Sequence, residues 1–179
     1  MNADLTPATP IHQFKKLLDV AYSQGIRHVY FIDPDFGRPW STGIEKKAIE
    51  YLGKLGFRWR LLTNVYTLQK YGNFMIDNGL SSFFIGIESL ADSYAKTRNR
   101  LQTLHRFWQN QDKTIQLITK MDEKGILPIG LYILGNPGET FSAMRKGIQK
   151  LKQIVPLSQI STNQPFPGTA QFFKALKNG

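Results

Sequence analysis

Residues 83–89 read Phe-Phe-Ile-Gly-Ile-Glu-Ser. An apolar run suited to a buried strand is followed at once by a carboxylate and a hydroxyl. Near-continuous apolar runs belong to parallel strands covered on both faces, whereas a strand with one wet face alternates. A carboxylate directly after such a run needs a partner if it is even partly buried. Glu88 therefore marks the end of a strand where polar chemistry collects.

The pattern around this stretch repeats it. Thr9 and Pro10 read as an N-cap and first helical position, followed by Ile11, Phe14, Leu17, Leu18 and Ala21 at helical spacing up to Gly25. His28 to Phe36, HVYFIDPDF, reads as a strand and its loop, closing on two aspartates around Pro34. Helical spacing over 43–55 precedes the strand RWRLLTN at 58–64, and a helix over 68–78 ends at Gly79 before the strand at 82–89. Residues 91–124 are helical in composition, long and polar, with a break expected around 106–112. LPIGLYILG at 127–135 is a strand, NPGE a turn, and 141–154 a helix. The last strand lies in QISTNQPFPGT, 159–169, stopped by Pro165 and Pro167, with a short helix after it.

Strands alternating with helices of this length predict parallel βαβ units. Five such strands suit either an open doubly wound sheet or an arc of a barrel. A length of 179 residues at 41% hydrophobic suits one domain over 1–179. The net charge of +10 raises a polyanionic partner such as RNA, or a phosphate- or carboxylate-bearing ligand, although the basic residues are scattered rather than blocked. The chain has 0 cysteines, which excludes a disulfide, a thiolate nucleophile and a cysteine-ligated metal of its own. The opening MNADLTPATP has no signal-peptide character, and no apolar stretch reaches the roughly 18 residues of a membrane span. A cytoplasmic protein is the default expectation.

Polar residues gather at every expected strand end: Asp33 and Asp35, Thr63 and Asn64, Glu88 and Ser89, Asn136 and Glu139, Asn163 and Gln164. In parallel α/β folds the loops at that end converge on the ligand. Taken singly, each residue also fits a cap or a turn: Asn64 as a turn residue, Glu139 as a cap of the following helix. His12, His28 and His105 are too dispersed for a histidine metal site. The NPGET turn has neither a Walker lysine nor GxGxxG spacing. No Ser, His and Asp set suggests a nucleophile.

FIDPDF, LLTN, FFIGIES, KTRN (96–99), KGILPIGLYILGNPGET and QPFPGT follow one another in an order and spacing that resembles the radical S-adenosylmethionine enzymes. The likeness is to their cobalamin-domain-associated, methylthiotransferase-like branch, and it spans about residues 9–169. The resemblance implies a partial TIM-like barrel, about five parallel βα units of a (β/α)6 core, with S-adenosylmethionine lying across the strand ends. A 4Fe–4S cluster would cleave it reductively, with a reductant protein supplying electrons and cobalamin held in a separate domain.

Carried over by motif, Asp33 and Asp35 would surround the methionine moiety, and Asn64 would match the family's TN at the next strand end. Glu88 and Ser89 would contact the ribose or methionine end, with Gly86 thinning the strand between. Lys96 or Arg98 would meet the carboxylate, and Ile133 and Gly135 would lie along the adenine, where a glycine lets a flat base approach the backbone. The chain departs from the family at the CxxxCxxC loop that holds the cluster, because it has no cysteine to place there. That implies a fragment, a split protein completed by an N-terminal segment or partner chain, or a degenerate relative. The readings left beside it are a cluster-less binding module for a nucleotide-like ligand or RNA, and an ordinary doubly wound nucleotide-binding domain.

Overall fold

A computed structural model describes residues 10–32, 44–90, 111–136 and 138–178. Helix and strand alternate along it: α1 (Ile11–Ser23), β1 (His28–Phe31), α2 (Ile44–Lys54), β2 (Arg58–Thr63), α3 (Val65–Asp77), β3 (Leu80–Glu88), α4 (Gln111–Glu123), β4 (Leu127–Leu134), α5 (Phe141–Ile154), β5 (Leu157–Thr162) and α6 (Ala170–Asn178).

The strands form one sheet in the order β1-β2-β3-β4-β5, every neighbouring pair parallel. Crossovers between parallel strands are right-handed. When strand order follows chain order without reversal, that handedness sends each connecting helix to the same side of the sheet. A doubly wound sheet needs a reversal of strand order, which is absent among the described residues. The chain is therefore an α/β fold of the partial TIM-barrel type, an arc with helices outside and a concave inner face.

Strand alternation sorts side chains between the two faces. Trp59 and Leu61 of β2 and Phe83, Ile85 and Ile87 of β3 turn outward and are buried, packed with Leu18, Ile49, Leu52, Leu68, Met75, Ile118, Met121 and Leu151 from the helices. The intervening residues line the concave face. Parallel register makes rows there: Tyr30 beside Arg60, Arg60 beside Ser82, Phe84 beside Ile129, and Gly86 beside Leu131. The apolar run in β3 thus serves both faces, with Phe84 turned inward against the ring of Tyr30 at 6.3 Å between centroids.

Element boundaries follow local chemistry. Pro10 is extended (φ −56°, ψ 137°) and stands just outside α1, its carbonyl accepting from the N–H groups of Gln13 and Phe14. It is therefore not the first helical residue, and Thr9 lies outside the described residues. The helix α3 begins at Val65 rather than at 68, because the Asn64 side chain accepts from the Thr67 N–H at 2.9 Å and caps it. The strands β3 and β5 begin at Leu80 and Leu157, earlier than 82 and 159. Within the helical stretch expected over 91–124, the described part is Gln111–Glu123; most of the expected break lies outside the described residues.

Gly79 sets the start of β3. Its φ is +92°, and a side-chain carbon there would run into the carbonyl oxygen of Phe57. Beside it the Trp59 indole donates to the Asn78 carbonyl at 2.7 Å, and Ser81 donates to the Trp59 carbonyl at 2.9 Å. Gly25 has a similar φ of +82° but open space around it. Chemical denaturation should find Gly25→Ala less stable by about 1 kcal/mol, the cost of a left-handed alanine. Gly79→Ala, which adds a backbone collision to the same strain, should lose about 3 kcal/mol or more.

Candidate functional site

The carboxyl ends of β3, β4 and β5 carry a connected polar rim. It starts at Glu88, whose φ of +62° places a non-glycine residue in the left-handed region. The β3–β4 register shifts there, Gly86 pairing with Leu131 and Glu88 with Tyr132, so that β3 gains a residue in a bulge. The backbone cost is on the order of 1–2 kcal/mol. It turns the Glu88 side chain back over the strand, so that a side-chain carbon on Gly86 would stand 2.9 Å from Glu88 Oε1. Gly86 therefore leaves room for that carboxylate, a more specific role than thinning the strand.

Buried bonds hold the strained segment. Ser89 is fully buried and its hydroxyl donates to Glu139 Oε1 at 3.1 Å. The Leu90 N–H donates to the Tyr132 hydroxyl at 3.0 Å. Tyr132 reaches under α5 only because position 147 is glycine; a side-chain carbon there would collide with the tyrosine hydroxyl.

Glu139 is the hub of the rim. Its Oε2 accepts from the backbone N–H of Gly135 at 2.8 Å and of Asn136 at 3.0 Å. Those two amides face one point because Gly135 turns the chain with φ +76°. Glu139 thus clasps the end of β4 instead of capping α5; the cap is Thr140, whose hydroxyl accepts from the Ala143 N–H at 3.2 Å. Asn136, itself buried, donates to the Ile133 carbonyl at 3.2 Å and accepts from Asn163 at 3.4 Å. Asn163 accepts in turn from Gln171 of α6 at 3.4 Å.

Of the residues singled out from sequence, Glu88, Ser89, Ile133 and Gly135 come together on this rim. Glu88 turns onto the concave face, and half-buried Ile133 lies in the concave row beside Ser161. Gly135 is exposed, and among the described residues no atom beyond its chain neighbours lies within 4 Å of where its side-chain carbon would be. Ser89 is directed at Glu139, in a positioning role, and Asn64 caps α3 at the neighbouring strand end. Asp33, Asp35, Lys96 and Arg98 lie outside the described residues. The hub Glu139 and the Tyr132 prop were not readable as such, because both act across the β3–β4 boundary; the signal available was a glutamate four residues after a strand-ending glycine.

The rim carries the Glu88 carboxylate on the concave face, a hydrogen-bond acceptor of the kind that suits ammonium or hydroxyl donors. It does not suit an iron–sulfur cluster: the chain has 0 cysteines, and the described residues contain no group of three or more His, Cys, Asp or Glu able to hold a metal ion. No described helix is long and apolar enough to cross a membrane.

No family model matches the chain, and no curated protein matches it in sequence. Solved structures do match in fold. One is a radical S-adenosylmethionine methyltransferase, TsrM, from Kitasatospora setae, determined with a tryptophan substrate and an S-adenosylmethionine analogue, aza-SAM. It superposes with a TM-score of 0.66 at 14% identity, over 85% of this chain and 30% of that one. Methylornithine synthase, PylB, superposes with a TM-score of 0.56 at 13% identity, over 94% of this chain and 48% of that one. What is shared is the fold. The chain spans less than half the length of either enzyme.

The clasp is testable by itself. Glu139→Gln keeps the size but sets a neutral amide against three donors, and urea denaturation should show a loss of about 2 kcal/mol. Hydrogen exchange at the Gly135 and Asn136 amides should accelerate more than at amides of α3. Tyr132→Phe strands the buried Leu90 N–H and should cost about 1–3 kcal/mol in the same assay.

Proposed function

We propose that the chain is the cysteine-less portion of a radical S-adenosylmethionine enzyme core, binding S-adenosylmethionine across the carboxyl ends of its strands. The observation that carries this reading is Glu88: a strained backbone and a glycine two residues earlier together aim a carboxylate over the concave face at the strand end. Strain of this kind concentrates at functional sites.

In this reading the Glu88 carboxylate accepts from the ammonium or ribose hydroxyls of the ligand. Ser89 and Glu139 fix the segment that carries it. Ile133 and the uncovered Gly135 offer an apolar side chain and bare backbone to the adenine, while Asp33, Asp35, Asn64, Lys96 and Arg98 complete the surroundings. The likeness of fold to an enzyme determined with an S-adenosylmethionine analogue supports the assignment.

The residues of this chain do not fit a 4Fe–4S cluster, so no catalytic step is assigned to it alone. Cysteines would come from an N-terminal segment or a partner chain. The strand β1 pairs with β2 on one side, and among the described residues its other edge is unpaired, a position that accepts a further parallel strand. The chain alone should show no cluster absorption after anaerobic reconstitution with iron and sulfide; a stable 4Fe–4S spectrum would sink this division of labour.

Calorimetry tests ligand binding directly. S-adenosylmethionine should bind in one saturable step, and Glu88→Ala should weaken it at least about tenfold, a loss of about 1.4 kcal/mol. Exposed Lys150 on α5 serves as the control, and Lys150→Ala should leave affinity unchanged. Absence of binding, or equal affinity in Glu88→Ala, would contradict the proposal.

A further inference from the structure

The opposite end of the concave face carries a second constellation. A cleft of about 430 Å³ opens at the amino-terminal ends of β1, β2 and β3, lined among others by His28, Tyr30, Arg58, Arg60 and Ser82. Register explains the gathering: His28 is paired with Arg58, Tyr30 with Arg60, and Arg60 with Ser82. In a parallel sheet paired residues share a face, and residues two apart on one strand lie about 7 Å apart on it. Arg58 and Arg60 therefore project side by side into one hollow.

Barrel interiors are ordinarily filled by branched apolar side chains. Here two guanidinium groups stand together, and among the described residues neither is paired with a carboxylate. An anion seated between them would meet two donors of like charge on one face. The Arg60 guanidinium is already oriented, stacked over the Tyr30 ring with 4.3 Å to its centroid. Stacking occupies its face and leaves the N–H edge free to fork onto an oxyanion. Ser82 adds a hydroxyl donor beside it.

We infer that this hollow is an oxyanion-binding site, taking the phosphate or carboxylate group of a small ligand on Arg58, Arg60 and Ser82. It is separate from the rim: Ser82 to Glu88 is six residues of β3, roughly 20 Å at strand rise. The inference therefore stands whether or not the rim binds S-adenosylmethionine.

The test is an NMR titration of the whole chain with inorganic phosphate, repeated with malonate. Saturable shifts at His28, Arg58 and Ser82 amides are expected, with affinity falling about tenfold or more in Arg58→Ala and in Arg60→Lys, which keeps the charge but loses the fork. The tighter of the two anions identifies the group recognised. Should either variant fail to fold, the shift map of the unaltered chain decides alone. No saturable shifts at millimolar anion, an equal loss in Lys150→Ala, or binding of single-stranded RNA without binding of either small anion would overturn the site.

Discussion

Strand order is the constraint from which the rest of this molecule follows. Five parallel strands arranged in chain order, joined by crossovers of one hand, place their helices on one side only. The sheet then has one face sealed by helices and one concave face left for other purposes. All five strands also end at the same edge, so the residues closing each strand become neighbours although they are far apart in sequence. Ser89 and Glu139 meet across 50 positions for that reason.

At that edge, local strain and surrounding order are balanced against each other. A left-handed Glu88 is unfavourable by itself. It persists because the next two residues are anchored, Ser89 by Glu139 and Leu90 by Tyr132. Each anchor depends on a glycine elsewhere: Gly135 converges two amides on Glu139, and Gly147 admits Tyr132 beneath α5. The rim is therefore held in place by the chain's own hydrogen bonds.

Much of this was legible in the sequence. The βα alternation and the carboxylate ending an apolar run were sufficient to place Glu88 at a strand end, and the motif resemblance pointed to the partial barrel. Whether the sheet was doubly wound or an arc was settled only by strand order, a long-range property that hydrophobic periodicity does not encode. Asn64 shows the ambiguity of polar strand ends, since the same residue that matched a cofactor motif is also the cap of α3. Glu139 was legible as a strand-end polar residue, with a cap of the following helix as the other reading; its bonds to Gly135, Asn136 and Ser89 depend on the turn after β4 and on β3 lying beside it. The Arg58–Arg60 hollow escaped notice because Arg-Trp-Arg in isolation reads as an amphipathic strand; only the pairing with β1 and β3 reveals that its polar side faces inward.

The two ends of the concave face thus differ in kind, an acceptor-bearing rim at Glu88 and a donor-bearing floor at Arg58 and Arg60, with Leu62, Phe84, Ile129 and Leu131 between them. With 0 cysteines, the chain has no thiolate to hold an iron–sulfur cluster. The proposal that the rim is the S-adenosylmethionine side of a radical enzyme core is tested by mapping backbone amide shifts as S-adenosylmethionine is added. Perturbations should cluster at 86–90 and 133–136; shifts confined to the helices or to the floor of the concave face, or none at all, would refute it.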